Sequence, residues 1–297
     1  MRKLIRMLAI TGAMFNMSFA HAQPENQTPA KHHAEITVKT TGESHNDDYA
    51  EADVILTPKA TVQLGDAVAT YTGTFRKLTN TDGKTGDWQT WGHKVNLADD
   101  TWDLTFGRTS FRKFTGTTTS VGLDNDATGK GLSRTFTGGF VGYKPYDLTL
   151  GVAATDGVID PAHWDMLLGT WSHRFDDVLG VQVMAGITED HLEKAGLAIE
   201  YKPTDNFSVL LDGVYGRAKS VGMLSANLKL SDDVKLFAGS EVVIPDKGHT
   251  TGALIGGIEG NLSHGLSVIG AVQQDLNHEH ETKAVLGFKL NATRDLL

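Results

Sequence analysis

The sequence predicts an all-β protein, a transmembrane antiparallel β-barrel of sixteen strands, and three observations support this class. From about residue 34 to the C-terminus, runs of roughly ten residues alternate apolar and polar positions. Short stretches rich in Pro, Asp, Asn, Gly and Ser separate these runs. The chain also begins with a segment typical of exported proteins. One face of such strands suits lipid and the other suits water, because strand side chains alternate with a period of two.

The N-terminal segment predicts a cleaved secretory signal peptide. Three basic residues, Arg2, Lys3 and Arg6, precede a mostly apolar run, and Ala20 and Ala22 place small side chains at the cleavage positions. We therefore expect a signal peptide at residues 1–22, a flexible segment at 23–33 and an outer-membrane barrel at 34–297. This assignment implies that the chain is exported and the signal peptide removed.

Composition narrows the class of protein further. Of the 27 basic residues, three lie in the signal peptide, which leaves 24 against 36 acidic residues and a mature formal charge of about −12. Such a charge disfavours nucleic acid as a partner. The chain has no cysteine, so no disulfide supports it, whereas a closed barrel is held by its hydrogen-bonded ladder. After the signal peptide, no run reaches the 18 or so apolar residues of a membrane helix.

The strands and their turns follow from the same alternation. We predict strands at 34–41, 51–57, 61–76, 87–97, 101–109, 132–143, 147–155, 163–174, 178–188, 193–202, 206–217, 221–230, 234–244, 251–262, 266–275 and 282–291. Tight turns are predicted at every second connection, at 58–60, 98–100, 144–146, 175–177, 203–205, 231–233 and 263–265. Seven tight turns imply sixteen strands, and fourteen strands remain the alternative if the N-terminal segment is not paired. Sixteen strands leave an aqueous channel unless something fills it.

Aromatic residues near the predicted strand ends are typical of the girdles that anchor a barrel at the two membrane interfaces. The alternative is packing near strand centres in a soluble β-sandwich. The residues concerned are Trp88, Trp91, Trp102, Tyr143, Tyr146, Trp164, Trp171 and Tyr201.

One connection, residues 110–131, is far longer than the others. It is rich in Thr, Ser and Gly, has no apolar stripe, and carries Asp124 and Asp126. A polar segment of this kind gains little by packing on lipid, whereas inside a wet lumen its backbone can bind wall side chains and water. We therefore expect this third outer loop to fold into the barrel.

These features resemble the general porin family of Gram-negative outer membranes. The resemblance lies in the sixteen-strand count, in the strand Thr101–Arg108 that leads into the third loop, and in the acidic stretch Gly122–Asp126 within it. It implies a water-filled channel in each subunit of a homotrimer, through which small hydrophilic solutes and ions diffuse passively. Loops shorter than is typical and a C-terminus that lacks the family's usual Phe are departures.

The resemblance also implies a constriction at which carboxylates of the third loop face basic residues of the barrel wall. The candidate constriction residues are Asp124, Asp126, Arg108, Arg112, Lys113, Lys39, Lys94 and Arg134. For each of them, an ordinary loop, rim or lumen charge is the alternative reading.

Two other classes of function remain as alternatives. An outer-membrane barrel enzyme would need a nucleophile, a base and an orienting group, and residues 44–48 (Ser-His-Asn-Asp-Asp) have suitable types but lie side by side in one loop. A soluble periplasmic β-rich binding protein is the second alternative. The stretch His278–Glu281 has metal-ligand types but lacks an identifiable third fixed ligand. We therefore expect no catalytic site, no metal and no cofactor.

Overall fold

The computed structural model describes residues 31–44, 49–80, 89–111, 113–114, 135–154, 164–217, 219–263, 266–276 and 282–295. Within these ranges sixteen strands follow one another, each antiparallel to its neighbours. They are β1 Lys31–Ser44, β2 Tyr49–Leu64, β3 Ala67–Asn80, β4 Gln89–Ala98, β5 Trp102–Ser110, β6 Thr135–Tyr143, β7 Leu148–Ala154, β8 Trp164–Phe175, β9 Leu179–Ile187, β10 Leu192–Thr204, β11 Phe207–Gly216, β12 Lys219–Lys229, β13 Val234–Pro245, β14 Thr251–Ser263, β15 Leu266–Asp275 and β16 Thr282–Asp295.

The sheet closes into a barrel through its first and last strands. β1 pairs with β16 from Lys31↔Asp295 to Ser44↔Thr282, and β1 pairs with β2 on its other side. This pairing confirms the predicted closure and the strand count of sixteen rather than fourteen. A closed barrel leaves no strand edge with unpaired backbone groups, which is the condition for crossing a membrane with strands.

One predicted turn is wrong. The chain does not turn at residues 58–60, because β2 continues through Pro58 to Leu64 and the turn lies at Gly65 and Asp66. Pro58 stands opposite Ala34 of β1, but the pairing of β2 with β3 is interrupted between Leu56↔Phe75 and Lys59↔Thr72. Proline has no N–H to donate to a ladder, so it weakens the pairing on that side without ending the strand. The predicted third strand is displaced as a result.

The connections define two different ends of the barrel. The short-turn end carries the turns at residues 65–66, 99–101, 144–147, 176–178, 205–206 and 230–233, and residues 144–146 form a single 3₁₀ turn. Apart from the turn at 65–66, these turns lie where the sequence predicts them. The opposite end, called the long-loop end here, carries the other connections, including the third loop between β5 and β6. No helix in the described part of the chain is long and apolar enough to cross a membrane.

Alternate side chains face outward and inward along each strand. On β9, Leu179, Val183 and Ile187 are exposed, whereas Gln182 and Met184 between them are buried. The outward positions form an apolar belt that includes Val141, Leu150, Leu197, Leu211, Leu224, Leu228, Leu236, Val242, Leu254, Ile258 and Val272. Exposed apolar side chains over a belt of this extent are the surface that lipid covers in a transmembrane barrel.

Several of the predicted girdle residues lie at the short-turn end. Trp102, Tyr146 and Tyr201 are exposed there, and the Tyr143 ring lies 4.6 Å from that of Trp102 and 5.5 Å from that of Tyr146. Trp171 stacks on His173 on the outer face of β8. Trp164, by contrast, is buried against Val152 and Ala154 and is not an exposed anchor. Trp88 and the Trp91 side chain lie outside the described residues.

Candidate functional site in the barrel lumen

The lumen at the short-turn end contains a cavity of about 820 Å³ that β8 and β10–β14 line together with their turns. We call this cavity the vestibule. Four ion pairs cross its wall: Arg174–Glu200, Lys202–Asp205 at 2.9 Å, Lys229–Asp232 at 2.7 Å and Lys235–Glu259 at 2.7 Å. Six of these eight charged residues lie on strands, whose polar faces point into the barrel, and Asp205 and Asp232 lie in the adjoining turns.

The vestibule carries an excess of negative charge. Its lining has four basic and six acidic residues, a formal charge of −2, and Asp177 and Asp233 lie outside the four ion pairs. Charged side chains that line a water-filled passage select ions by sign. The lining of the vestibule is therefore more favourable for cations than for anions.

Two carboxylates in the turns of the vestibule, Asp205 and Asp232, have lowered pKa values. Hydrogen bonding and attraction from Lys202 lower the pKa of Asp205, and Lys229 does the same for the pKa of Asp232. Both carboxylates are at the exposed rim, where an ion pair contributes little to stability. They remain ionised to lower pH than an ordinary Asp, so the charge of this mouth is maintained in mildly acidic medium.

Further from the short turns, the inner wall is apolar rather than wet. Phe136, Phe140, Ala153, Met166, Leu168, Met184 and Val214 are all buried and form one cluster on the inner face of β6–β11. A second inner cluster joins Ala198, Leu210 and Met223 of β10–β12 to Phe114 of the third loop. The lumen is thus polar in the vestibule and apolar along part of its wall.

The third loop begins by turning inward onto this apolar wall. Phe111, the first residue after β5, lies edge-on to Phe140 at a ring-centroid distance of 4.6 Å and 6.1 Å from Phe136. Phe114 is 5% exposed and is covered by the second cluster. The guanidinium carbon of Arg174 lies 5.4 Å from the centre of the Phe114 ring. We refer to Phe111, Lys113 and Phe114 as the loop root.

Polar contacts hold the same segment. Gln182 of β9 donates a hydrogen bond from Nε2 to the Phe111 carbonyl oxygen, and its Oε1 accepts one from the Lys113 backbone N–H at 3.1 Å. The Lys113 ammonium group pairs with Asp147 in the turn between β6 and β7. This turn belongs to the short-turn end, so the loop root reaches from the end of β5 towards the other mouth of the barrel.

The structure describes four of the eight predicted constriction residues in part or in full. Lys94 is half-buried on the inner face of β4, and Arg108 is exposed on β5, its side chain against Gly92. Lys113 pairs with Asp147. Lys39 stands opposite Asp53 and Gly287 in the β1 ladders, and its side chain lies outside the described residues. Asp124, Asp126, Arg112 and Arg134 also lie outside them.

Close packing between β4 and β5 accompanies Lys94. Gly107, its partner on β5, has a φ of +105°, and a Cβ there would stand 2.0 Å from the His93 carbonyl oxygen. Asn96, next along the inner face, donates a hydrogen bond to Thr105 at 2.8 Å. Only glycine allows this close approach of the β5 backbone to the β4 backbone beside Lys94.

The groups that hold the loop root were not among the predicted site residues. The sequence does contain one indication of them, because Phe111 and Phe114 lie three residues apart in an otherwise polar segment. Gln182 resembles any other inward-facing polar residue in the sequence, and only its contacts distinguish it.

Metal and catalytic sites are the other chemistry that the sequence raises, and the described residues cover the candidate stretches only in part. Within those ranges, no group of three or more His, Asp or Glu side chains is arranged to hold a metal ion. The stretches His45–Asp48 and 278–281 lie outside them.

A closed sixteen-stranded barrel with an apolar outer belt and a charged vestibule defines a pore-sized transmembrane β-barrel. Solved porin structures share this architecture. The chain superposes on a mutant form of Rhodopseudomonas blastica porin with a TM-score of 0.58 at 13% identity, covering 89% of this chain and 99% of that one. A second mutant form of the same porin gives a TM-score of 0.58 at the same coverage.

A third structure, described as "Asymmetric conductivity of engineered proteins", matches with a TM-score of 0.56 at 13% identity, covering 90% of this chain and 100% of that one. No protein-family model matches the chain, and no curated protein matches it in sequence. At 13% identity, the likeness shows a shared porin fold, and the chain resembles the Gram-negative general porins in this respect.

Proposed function

We propose that this protein is an outer-membrane porin that forms a water-filled channel for passive diffusion of small hydrophilic solutes and ions. The observation that carries the proposal is the closed barrel of sixteen strands around a charged vestibule of about 820 Å³. A barrel of this strand number has room for water inside. A polar lining replaces part of the hydration that a small solute loses on entering.

The location and the assembly belong to the same proposal. The apolar outer belt requires a lipid environment, and the signal peptide at residues 1–22 directs the chain across the inner membrane. The mature chain then consists of the segment 23–33 and the barrel 34–297. We propose a homotrimer, which mass measurement of the protein extracted in mild detergent tests directly. A monomeric mass would contradict the trimer and leave the channel intact.

Within the channel we propose a constriction made by the third loop. Its two carboxylates, Asp124 and Asp126, would face basic residues of the wall, of which Lys94 is already placed on the inner face of β4. Support comes from the loop root, which runs inward along the wall rather than outward over the rim. Opposed charges at the narrowest point would then set ion preference. No enzymatic step is required for this function.

Single-channel recording in planar bilayers tests the proposal. Wild-type protein should produce discrete, long-lived conductance steps. Deletion of residues 121–128 should raise the conductance, because it removes material from the lumen. Neutralising Asp124→Asn and Asp126→Asn together should shift preference towards anions, and more strongly at low salt, because charges are screened over about 10 Å at 0.1 M ionic strength.

A matched control removes two exposed acids at the long-loop rim, Asp190→Asn with Asp246→Asn. It changes the net charge equally and should shift the preference much less. Absence of channels in the wild type would contradict the porin function. A deletion variant with unchanged conductance and ion preference would contradict the constriction and leave the channel.

A further inference from the structure

The inner face of β9 carries a built attachment point for the third loop. We propose that Gln182 and Gly180 are positioning residues that fix the loop root against the wall and thereby set the width of the channel. The inference rests on the proposed channel function, and it adds which residues of the barrel decide where the loop lies. Neither residue is proposed to contact the permeating ions.

Gln182 acts through both ends of its side-chain amide. Its Nε2 donates to the Phe111 carbonyl and its Oε1 accepts from the Lys113 N–H, so one side chain satisfies two backbone groups of the loop. Gln182 is 3% exposed. A buried backbone group that loses its partner bears the full cost of its lost hydration. Both hydrogen bonds are partly buried, so losing Gln182 as a partner disfavours this position of the loop root.

Gly180, two residues earlier on the same face, provides the space for the second contact. A Cβ at this position would stand 2.5 Å from Cζ and 2.6 Å from Cε1 of Phe114. The ring thus lies directly on the glycine backbone, with Arg174 on the ring at 5.4 Å. Because Phe114 is 5% exposed, any side chain at position 180 must displace the ring and with it the loop root.

These contacts decide the geometry of the passage. The two hydrogen bonds and the ring contact fix Phe111, Lys113 and Phe114 against the β8–β10 side of the lumen, where Phe111 also packs on the β6 side chains. The cross-section of the lumen that stays open depends on how closely the loop root packs against the barrel wall. A loosened root would let the loop fluctuate within the lumen, which an electrical recording reports as noise and as additional conductance levels.

The first test compares Gln182→Leu with Gln273→Leu in planar bilayers. Both substitutions replace a buried inward-facing glutamine, but among the described residues Gln273 bonds to Asp275 of its own strand and not to the loop root. We expect Gln182→Leu to increase the occupancy of secondary conductance levels about tenfold, since losing about 1.4 kcal/mol of hydrogen bonding changes a population tenfold. Gln273→Leu should leave the level occupancy near that of the wild type. Equal behaviour of the two variants would overturn the inference.

A conservative variant adds a signature that a merely structural role would not produce. In Gln182→Glu, the carboxylate still accepts from the Lys113 N–H but cannot donate to the Phe111 carbonyl, and a protonated carboxyl can do both. The excess noise relative to wild type at the same pH should therefore decrease as the medium is acidified. We call the contacts of Gln182 and Gly180 with the loop root the clamp. Noise that is independent of pH in this variant would count against the clamp.

Gly180→Ala and Gly186→Ala form a second matched pair. Both glycines face inward on β9, and an added Cβ would lie 2.5 Å from Phe114 in one case and 2.6 Å from the Met166 sulfur in the other. Only the first change disturbs the loop, so only Gly180→Ala should alter conductance. Heat-modifiable mobility in detergent gels should show a folded barrel for both.

Cross-linking tests the clamp without any electrical measurement. The chain has no cysteine, so Lys113→Cys with Asp147→Cys creates the only thiol pair, at the site of an exposed ion pair. A short bifunctional thiol reagent should link the two rapidly in the otherwise wild-type protein and about tenfold more slowly with Gln182→Leu added. Failure to link in the first protein overturns the clamp. Linking in a protein that conducts no ions instead contradicts the porin function and leaves the clamp standing.

Discussion

At the scale of single residues, Asp99 shows how a turn of the short-turn end is stabilised. Its carboxylate accepts hydrogen bonds from the backbone N–H groups of Thr101 and Trp102, both at 2.7 Å. These bonds favour the charged form and lower the pKa of Asp99, with a smaller contribution from Lys144. The same side chain thereby orders the β4–β5 connection that leads into the strand before the third loop.

This geometry predicts a pH-dependent contribution to stability. Because the pKa is lower in the folded than in the unfolded protein, the contribution is fully present above the unfolded pKa and disappears as the pH falls through the folded value. We expect Asp99→Ala to lower the free energy of unfolding near neutral pH and to approach the wild-type value in strong acid. Chemical unfolding in lipid vesicles at several pH values measures this. The same substitution at exposed Asp100 serves as control.

At the scale of elements, the turn after β2 shows that strand pairing, and not local composition, decides where a strand ends. Proline is a common turn residue, and the sequence therefore predicts a turn at residues 58–60. The barrel instead extends β2 to Leu64, where Gly65 adopts a φ of +61°. Residues 57 and 58 have no partner on β3, and pairing resumes in the same register at Lys59. A ladder continuous on its other side tolerates this gap.

The turn position can be tested with two substitutions. Gly65→Ala should cost roughly 1–2 kcal/mol, because the left-handed conformation is unfavourable for a residue with a Cβ. The space around position 65 is open, so the backbone alone causes the loss. Pro58→Ala should be tolerated, since it restores a donor to the ladder. The opposite order of stabilities in chemical unfolding would place the turn at residues 58–60 after all.

Strand positions were predicted correctly where the alternation of apolar and polar residues agreed with a turn signal. The turn at residues 58–60 was predicted from the turn residue Pro58 alone, and it was wrong. Strands such as β9, β11 and β12 combine regular alternation with turns rich in Asp, and their positions follow from sequence to within about two residues. The candidate site was less predictable. Inward-facing charges such as Lys94 and Lys235 follow from the period of two, but the contact of Gln182 with Phe111 joins residues 71 positions apart. No local pattern encodes such a contact.

At the scale of the whole molecule, the two faces of the barrel differ in the solvent they require. Leu224, near the middle of β12, is 49% exposed on the outer face, whereas its neighbour Ser225 is buried on the inner face. An exposed leucine of this kind would be unfavourable in water when repeated around the whole belt. Lipid removes that cost, so the barrel is stable as a membrane protein.

The depth of each outward residue in the bilayer predicts its tolerance of charge. Leu224→Arg should destabilise the barrel by roughly 2–4 kcal/mol, and Leu228→Arg, beside the short turn on the same strand, by about 0–1 kcal/mol. Unfolding with denaturant in lipid vesicles measures both, and Lys229→Gln on the inner face provides a control of small effect. Equal costs for the two leucines would show that β12 does not cross a bilayer along its length.

The sequence by itself determined the architecture: the alternation of apolar and polar residues, repeated between turns, specifies strands with one lipid face and one water face, and closure follows because no strand edge can remain in hydrocarbon. It also predicted that the long loop turns inward. Only the tertiary structure decided how the root of that loop is held, through Gln182, Gly180 and an apolar inner wall. Those contacts arise when distant strands are brought side by side, and side-chain periodicity within one strand carries no information about them.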